Sequence, residues 1–229
     1  NVDMEKGQAW SLDLRSDYVN STAFARLYAT HDIGRPLPIA HSSVWVRSAA
    51  GFSPQSRTEP FANFYFGGFG NNYVDHAEEQ RYRQYHSLPG TALNAIGGRN
   101  FVKSMIEWNA PPLRFSRAGT PGAYISWMRP TLFVGGLVTN FDSLPDRQRA
   151  VTAGGQLDFR FTTLSVLDMT LSVGAAVARQ PGQAAHGEAM IALKVLRSGS
   201  FVLIVAVALL PVTVFLLLLV AFDSFKLVP

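Results

Sequence analysis

The sequence predicts an all-β fold, an antiparallel transmembrane β-barrel present in part, with about nine or ten strands. A single C-terminal transmembrane α-helix is expected to follow it. Three observations predict this arrangement. Side chains over most of residues 8–197 alternate between apolar and polar with period two. Residues 201–222 form an uncharged apolar run. Only 16% of the residues are charged, and the mean hydropathy is slightly positive at +0.11. Residues 1–197 are therefore read as an outer-membrane-type β-barrel region, and residues 198–229 as a transmembrane helix with a short tail.

Composition narrows the function classes. The formal net charge of +4 is spread along the chain, with no Lys/Arg run of the kind that binds nucleic acid. Arginines on a wet inner face account for it equally well. There are no cysteines, which excludes disulfide frameworks, Cys-zinc sites and thiol nucleophiles. The chain starts at Asn1 without a charged-then-apolar leader, and the start is read as a truncated or processed end.

The strands can be justified in order. Trp10, Leu12, Leu14 and Tyr18 alternate with Ser11, Asp13, Arg15 and Asp17. Val44 and Val46 alternate with Trp45 and Arg47, and Val102, Ile106 and Trp108 with Lys103 and Glu107. The block GAYISWMRPTLFVGGLVTNF fits one tilted strand or a bent pair, with Pro130 at a bend or an edge. From 151 to 162, Val151, Ala153, Gly155, Leu157, Phe159 and Phe161 share one face, and Thr152, Gln156, Asp158 and Arg160 the other. Helical periodicity of 3.6 would mix these sets. Leu171, Val173, Ala175 and Val177 oppose Ser172, Gly174, Ala176 and Ala178, and Ile191, Leu193 and Val195 oppose Glu188 and Lys194.

A soluble sheet also alternates. Two features favour a membrane barrel instead. The polar faces hold Gly, Thr, Ser, Asp and Arg rather than a Lys/Glu-rich surface. Trp10, Tyr18, Trp108, Trp127 and Phe133 are placed near strand ends, where an interfacial aromatic girdle is expected.

From Phe64 onward, four stretches carry a family resemblance: FYFGGFGNNYVD, EEQRYRQYHSLPG, GGRNFVKSMIEWNAPPLRF and PTLFVGGLVTNF. The ending RAVTAGGQLDFRFTTLSVLDMTLSVGAAVA…GEAMIALKVL follows them. In order and spacing these resemble the carboxyl-terminal barrel of the Omp85 family, also called the bacterial surface antigen (D15) family. The resemblance implies a Gly-rich approach to a long loop that folds back into the barrel, then the closing strands. It also implies that an arginine of the loop meets an acidic residue on the inner wall. The family's Val-Arg-Gly-aromatic loop tip is absent. Arg81 and Arg83 are the loop candidates, and Glu107 and Asp158 the wall candidates. The segment His186–Leu196 is similar to an outer-membrane sorting signal, with Leu196 where an aromatic residue usually stands.

Phe201–Phe222 is long enough to span roughly 30 Å of hydrocarbon as a helix. Such a run conflicts with barrel export, because it would stop in the inner membrane. The tail ALLPVTVFLLLLVAFDSFKLVP weakly resembles the first transmembrane segment of PrsW-family proteases, which makes the LKVL–RSGS junction look like the fusion of two reading frames.

No catalytic, cofactor-binding or metal site is expected. The five histidines lack metal-ligand spacing, DHAEE at 75–79 reads as a solvated loop face before a calcium loop, and no Gly-x-Ser-x-Gly elbow occurs. FGGFG lacks the pattern of a phosphate loop and reads as backbone freedom where a strand bends. The expected function is that of a non-enzymatic outer-membrane barrel segment in envelope biogenesis or transport. Its expected partners are the lipid bilayer and other envelope proteins or a missing amino-terminal barrel half. Two alternatives stand beside it: a soluble β-rich domain tail-anchored to the inner membrane, and a barrel fused to the start of a PrsW-like protease.

Overall fold

The computed structural model describes residues 4–70, 80–120, 122–163 and 167–195. The helix expected at 201–222, the DHAEE segment and Leu196 lie outside them. Among the described residues the chain is all-β, and no helix is long and apolar enough to cross a membrane.

One antiparallel sheet dominates. Its strands are β1 (Gly7–Val19), β2 (Thr22–Pro36), β3 (Ser43–Phe52), β6 (Asn100–Asn109), β7 (Leu113–Thr120), β8 (Ala123–Thr139), β9 (Gln148–Thr163), β10 (Leu167–Arg179) and β11 (His186–Val195). They run in the order β1-β2-β3-β6-β8-β9-β10-β11, with β7 also paired to β8. The short strands β4 (Phe64–Phe66) and β5 (Ile96–Gly98) form a separate pair inside the loop 53–99. β1 and β11 end the sheet and do not pair with each other.

The block around Pro130 is a single strand, β8. Proline is tolerated in this central position because its neighbour is interrupted there. Ala110, Pro111 and Pro112 separate β6 from β7, and the Ala110 N–H donates to the Pro130 carbonyl at 3.0 Å. The missing N–H of Pro130 therefore falls at a gap in the ladder.

Register sorts the side chains into two faces. One row across the sheet reads Ile33, Val46, Ile106, Val134, Ala153 and Val177. This face is open: Val134 is 53% exposed, Val177 52%, and Leu132 53%. Phe159, Phe161, Leu171 and Val173 share it and belong to neither buried cluster. The neighbouring row reads Gly34, Trp45, Glu107, Phe133, Gly154, Ala176 and Glu188. This second face is covered by the loop.

The core lies between loop and sheet. Phe64, Phe66, Leu88 and Ile96 of the loop pack on Ala49, Phe101, Leu137 and Ala150 of the strands. The rings of Phe66 and Phe101 meet edge-on with centroids 4.7 Å apart, both wholly buried. Burying each ring contributes about 1.5–3 kcal/mol. A second cluster joins Phe69 and Tyr82 to Met105, Phe133 and Ala176.

Two residues assigned to the aromatic girdle lie on the loop face instead. Phe133 is buried and stacks on Tyr82, with centroids 4.6 Å apart. Trp127 stands opposite Arg160, in the polar register. A β-bulge beside Ile125 separates Trp127 from the simple count along the strand. Trp10 and Trp108 do occupy the open face, at 76% and 37% exposure.

Candidate functional site

The loop is fastened to the sheet through a chain of polar contacts centred on β6. Alternation along that strand puts Phe101, Lys103, Met105, Glu107 and Asn109 on the loop face. Glu107 has no solvent exposure, and burial alone would disfavour its charge. It is surrounded by donors instead. Arg83 Nε donates to Glu107 Oε2 at 3.0 Å and Arg83 Nη2 to Oε1 at 2.5 Å. This fork-on-carboxylate geometry is among the stronger forms of ion pair. Arg47 Nε of β3 donates to Oε2 at 2.9 Å, and Asn109 Nδ2 to Oε1 at 2.8 Å. Arg47 in turn reaches Asp32 of β2 at 2.5 Å.

Arg83 sits in the short 3-10 turn 81–83, so its position is fixed by local backbone as well as by its partner. Arg83 Nη1 donates to Gln80 Oε1 at 2.9 Å, and Gln80 Nε2 donates to Asp158 Oδ2 at 3.1 Å. The other Asp158 oxygen accepts from Gln156 Nε2 at 2.7 Å and Ser172 Oγ at 2.6 Å. Of the four sequence candidates, Arg83 and Glu107 meet directly. Asp158 joins them through Gln80, a residue the sequence does not single out. Arg81 lies in the same turn, and its Cβ packs where a Cβ on Gly70 would stand, 2.8 Å away.

Lys103 makes a second fastening. Its ammonium donates to the carbonyls of Gln84 at 2.9 Å, Tyr85 at 3.2 Å and Ser87 at 2.5 Å. Three loop carbonyls, those of consecutive Gln84 and Tyr85 and of Ser87, are thereby gathered around one cation. His86 lies beside them, and its pKa is pushed down to about 4, by burial first and by the Lys103 charge second. The imidazole is thus neutral near pH 7. Burial likewise raises the Tyr82 phenol above its usual value.

At its base the loop is tied to the turn 140–147. Asp142 accepts from Arg57 at 2.6 Å, Arg99 at 2.5 Å and Asn100 at 2.6 Å. The hydrogen bonds from Asn100 and Arg99 hold its carboxyl well below the usual range. At the far end the loop reaches β9, β10 and β11. Thr152 donates to the Pro89 carbonyl at 2.5 Å, and the Phe69 and Gly90 amides donate to Glu188 at 3.1 and 2.8 Å.

The arrangement can bind and position; it holds no group of three or more His, Asp or Glu side chains suited to a metal among the described residues. Arg47, Lys103 and Glu188 were legible only as polar members of alternating strands; the pairing of Arg47 with Glu107, and the contacts of Lys103 and Glu188 with the loop, were not. No family model, curated protein or solved structure matches the chain.

Proposed function

We propose that the chain is a sector of an outer-membrane β-barrel wall. Its loop 53–99 is folded into the lumen, and the protein acts without catalysis in envelope biogenesis or transport, as an Omp85/D15-like protein would. One observation carries the reading: the sheet is inverted relative to a soluble one. Its uncovered face is apolar, with Leu132, Val134, Val151 and Ile191 at 53, 53, 59 and 76% exposure. Its covered face carries buried Lys103, Glu107, Arg129 and Asp158. Water penalises such an open apolar face, whereas a bilayer stabilises it.

Two further features support the reading. The strand-to-strand connections at one rim are 20–21, the loop 53–99, 140–147 and 180–185, and those at the other are 37–42, 121–122 and 164–166, so the two longest share one rim. Short turns belong on the periplasmic side, so the loop rim faces outward from the cell. The ion pair of Arg83 with Glu107 also has the form that the family resemblance implies.

Closure needs more wall than this. All neighbours in the main path are antiparallel and the path has eight positions, so β1 and β11 run in opposite directions. An antiparallel wall therefore closes either directly, β1 on β11, or through an even number of further strands. A barrel closed by eight strands has an interior just wide enough for side chains. A loop with its own strand pair and two aromatic clusters needs a wider one. Strands added between β1 and β11 supply that width.

Detergent dependence tests the proposal. Residues 1–197 are expected to require detergent for monodispersity and to shift in gel mobility on heating. A monodisperse, detergent-free species would overturn the barrel reading. It would favour the soluble domain anchored to the inner membrane, the reading that the 201–222 run supports.

A further inference from the structure

We propose that Glu188 is a latch through which the loop 53–99 holds the sheet's terminal strand, so that loop and strand edge move as one unit. β11 has β10 as its only strand neighbour among the described residues. A terminal strand with a single ladder is the part of a sheet most prone to fray or to pair elsewhere. Here its loop-facing side is fastened as well.

The fastening uses one carboxylate and two separated stretches of loop. Glu188 Oε1 accepts from the Phe69 amide at 3.1 Å, and Oε2 from the Gly90 amide at 2.8 Å. These stretches are themselves joined. The Leu88 N–H donates to the Gly68 carbonyl at 2.9 Å, and the Gly68 N–H to the Thr91 carbonyl at 3.1 Å. His186, two residues before Glu188 on the same face, contacts the Gly90 carbonyl through Nδ1 at 3.0 Å. Gly90 has a φ of +90°, and a Cβ there would lie 2.4 Å from the Ala178 amide nitrogen of β10. Only glycine brings this backbone close enough for its amide to meet the carboxylate.

Position on the sheet gives the contact its consequence. Glu188 and Glu107 occupy one register row, separated by Phe133, Gly154 and Ala176. Four strand spacings set them about 19 Å apart. Glu107 grips the loop by a side chain, Arg83; Glu188 grips it by backbone amides. The loop is therefore a strap between the middle of the sheet and its end. Anything that lifts the strap leaves a half-buried carboxylate without its donors and leaves β11 held by β10 alone. The contact is independent of what covers the open face, so it stands or falls separately from the barrel reading.

Hydrogen–deuterium exchange on the full chain in detergent micelles tests the latch. In Glu188→Ala, exchange is expected to rise at least about tenfold both in loop residues 68–69 and 88–91 and in β11, with β1–β3 unchanged. Glu188→Gln keeps one carbonyl acceptor, so one of the two loop amides is expected to stay protected if the alanine variant does not fold. Coupling must be reciprocal, so Gly90→Ala, which pushes the loop off the Ala178 backbone of β10 and leaves every residue of β11 itself unaltered, must raise exchange in β11 too. Exchange that rises in the loop while β11 keeps its protection, in either variant, would overturn the proposal.

Discussion

Glu107 shows how a charge survives without solvent in this protein. Its two oxygens take four donated hydrogen bonds, from Arg83, Arg47 and Asn109. Removing one partner of a buried ion pair strands the other and costs about 3–5 kcal/mol. Arg83→Ala leaves Glu107 its Arg47 and Asn109 donors, so it is expected to lower stability by the lower end of that range, about 3 kcal/mol, in denaturant titration. Arg83→Ala combined with Glu107→Ala is expected to cost less than the sum of the two single changes. Strict additivity would show that the pair is not coupled. His86 makes a prediction about acid. Its folded pKa of about 4 lies below its ordinary 6.5, so between these values the unfolded chain binds more protons. The stability contributed by neutral His86 is complete above pH 6.5 and is lost as pH falls through that window. Comparing the pH dependence of wild type with that of His86→Gln isolates it; identical slopes would contradict the burial of this ring. At this scale Arg83 was singled out, with Arg81, only through the family resemblance, and Glu107 only by strand pattern. The sequence was silent where a small neutral side chain such as Gln80 completes the path to Asp158.

At the scale of elements, the strands were readable because period two sorts every residue of 151–162 and 168–178 onto its observed face. Phe133 and Trp127 escaped that reading. Hydrophobicity alone points an aromatic toward lipid, whereas stacking on Tyr82 and a bulge beside Ile125 decide otherwise. That the loop turns back over the sheet was expected only from the family resemblance, and which residues it crosses was not legible, since a segment without periodicity leaves no trace of its seat. Its seat across β9 and β10 depends on small residues. A Cβ on Gly154 would lie 2.6 Å from the Ala175 carbonyl oxygen and 2.8 Å from the Phe133 ring. Gly154→Val is thus expected to cost about 1–3 kcal/mol by overpacking. It should also speed proteolysis within 53–99, measured by limited digestion. Unchanged digestion would mean that the loop does not rest on this row.

For the whole molecule, what matters is which side of the sheet is wet. A loop-covered polar face and an uncovered apolar one fit a bilayer, and they set opposite expectations for a single substitution. Val134 is 53% exposed near the middle of β8. In a bilayer Val134→Lys should destabilise by about 2–4 kcal/mol. On a soluble sheet the same change would be close to neutral, as a denaturant titration in lipid vesicles can tell. The most direct measurement uses the tryptophans. In vesicles of lipid brominated along the acyl chain, single-tryptophan variants retaining Trp10 or Trp108 are expected to be strongly quenched. A variant retaining Trp45, which is 5% exposed on the loop face, is expected to keep its fluorescence. Equal quenching at all three positions, or none at any, would contradict the assignment of the open face to lipid.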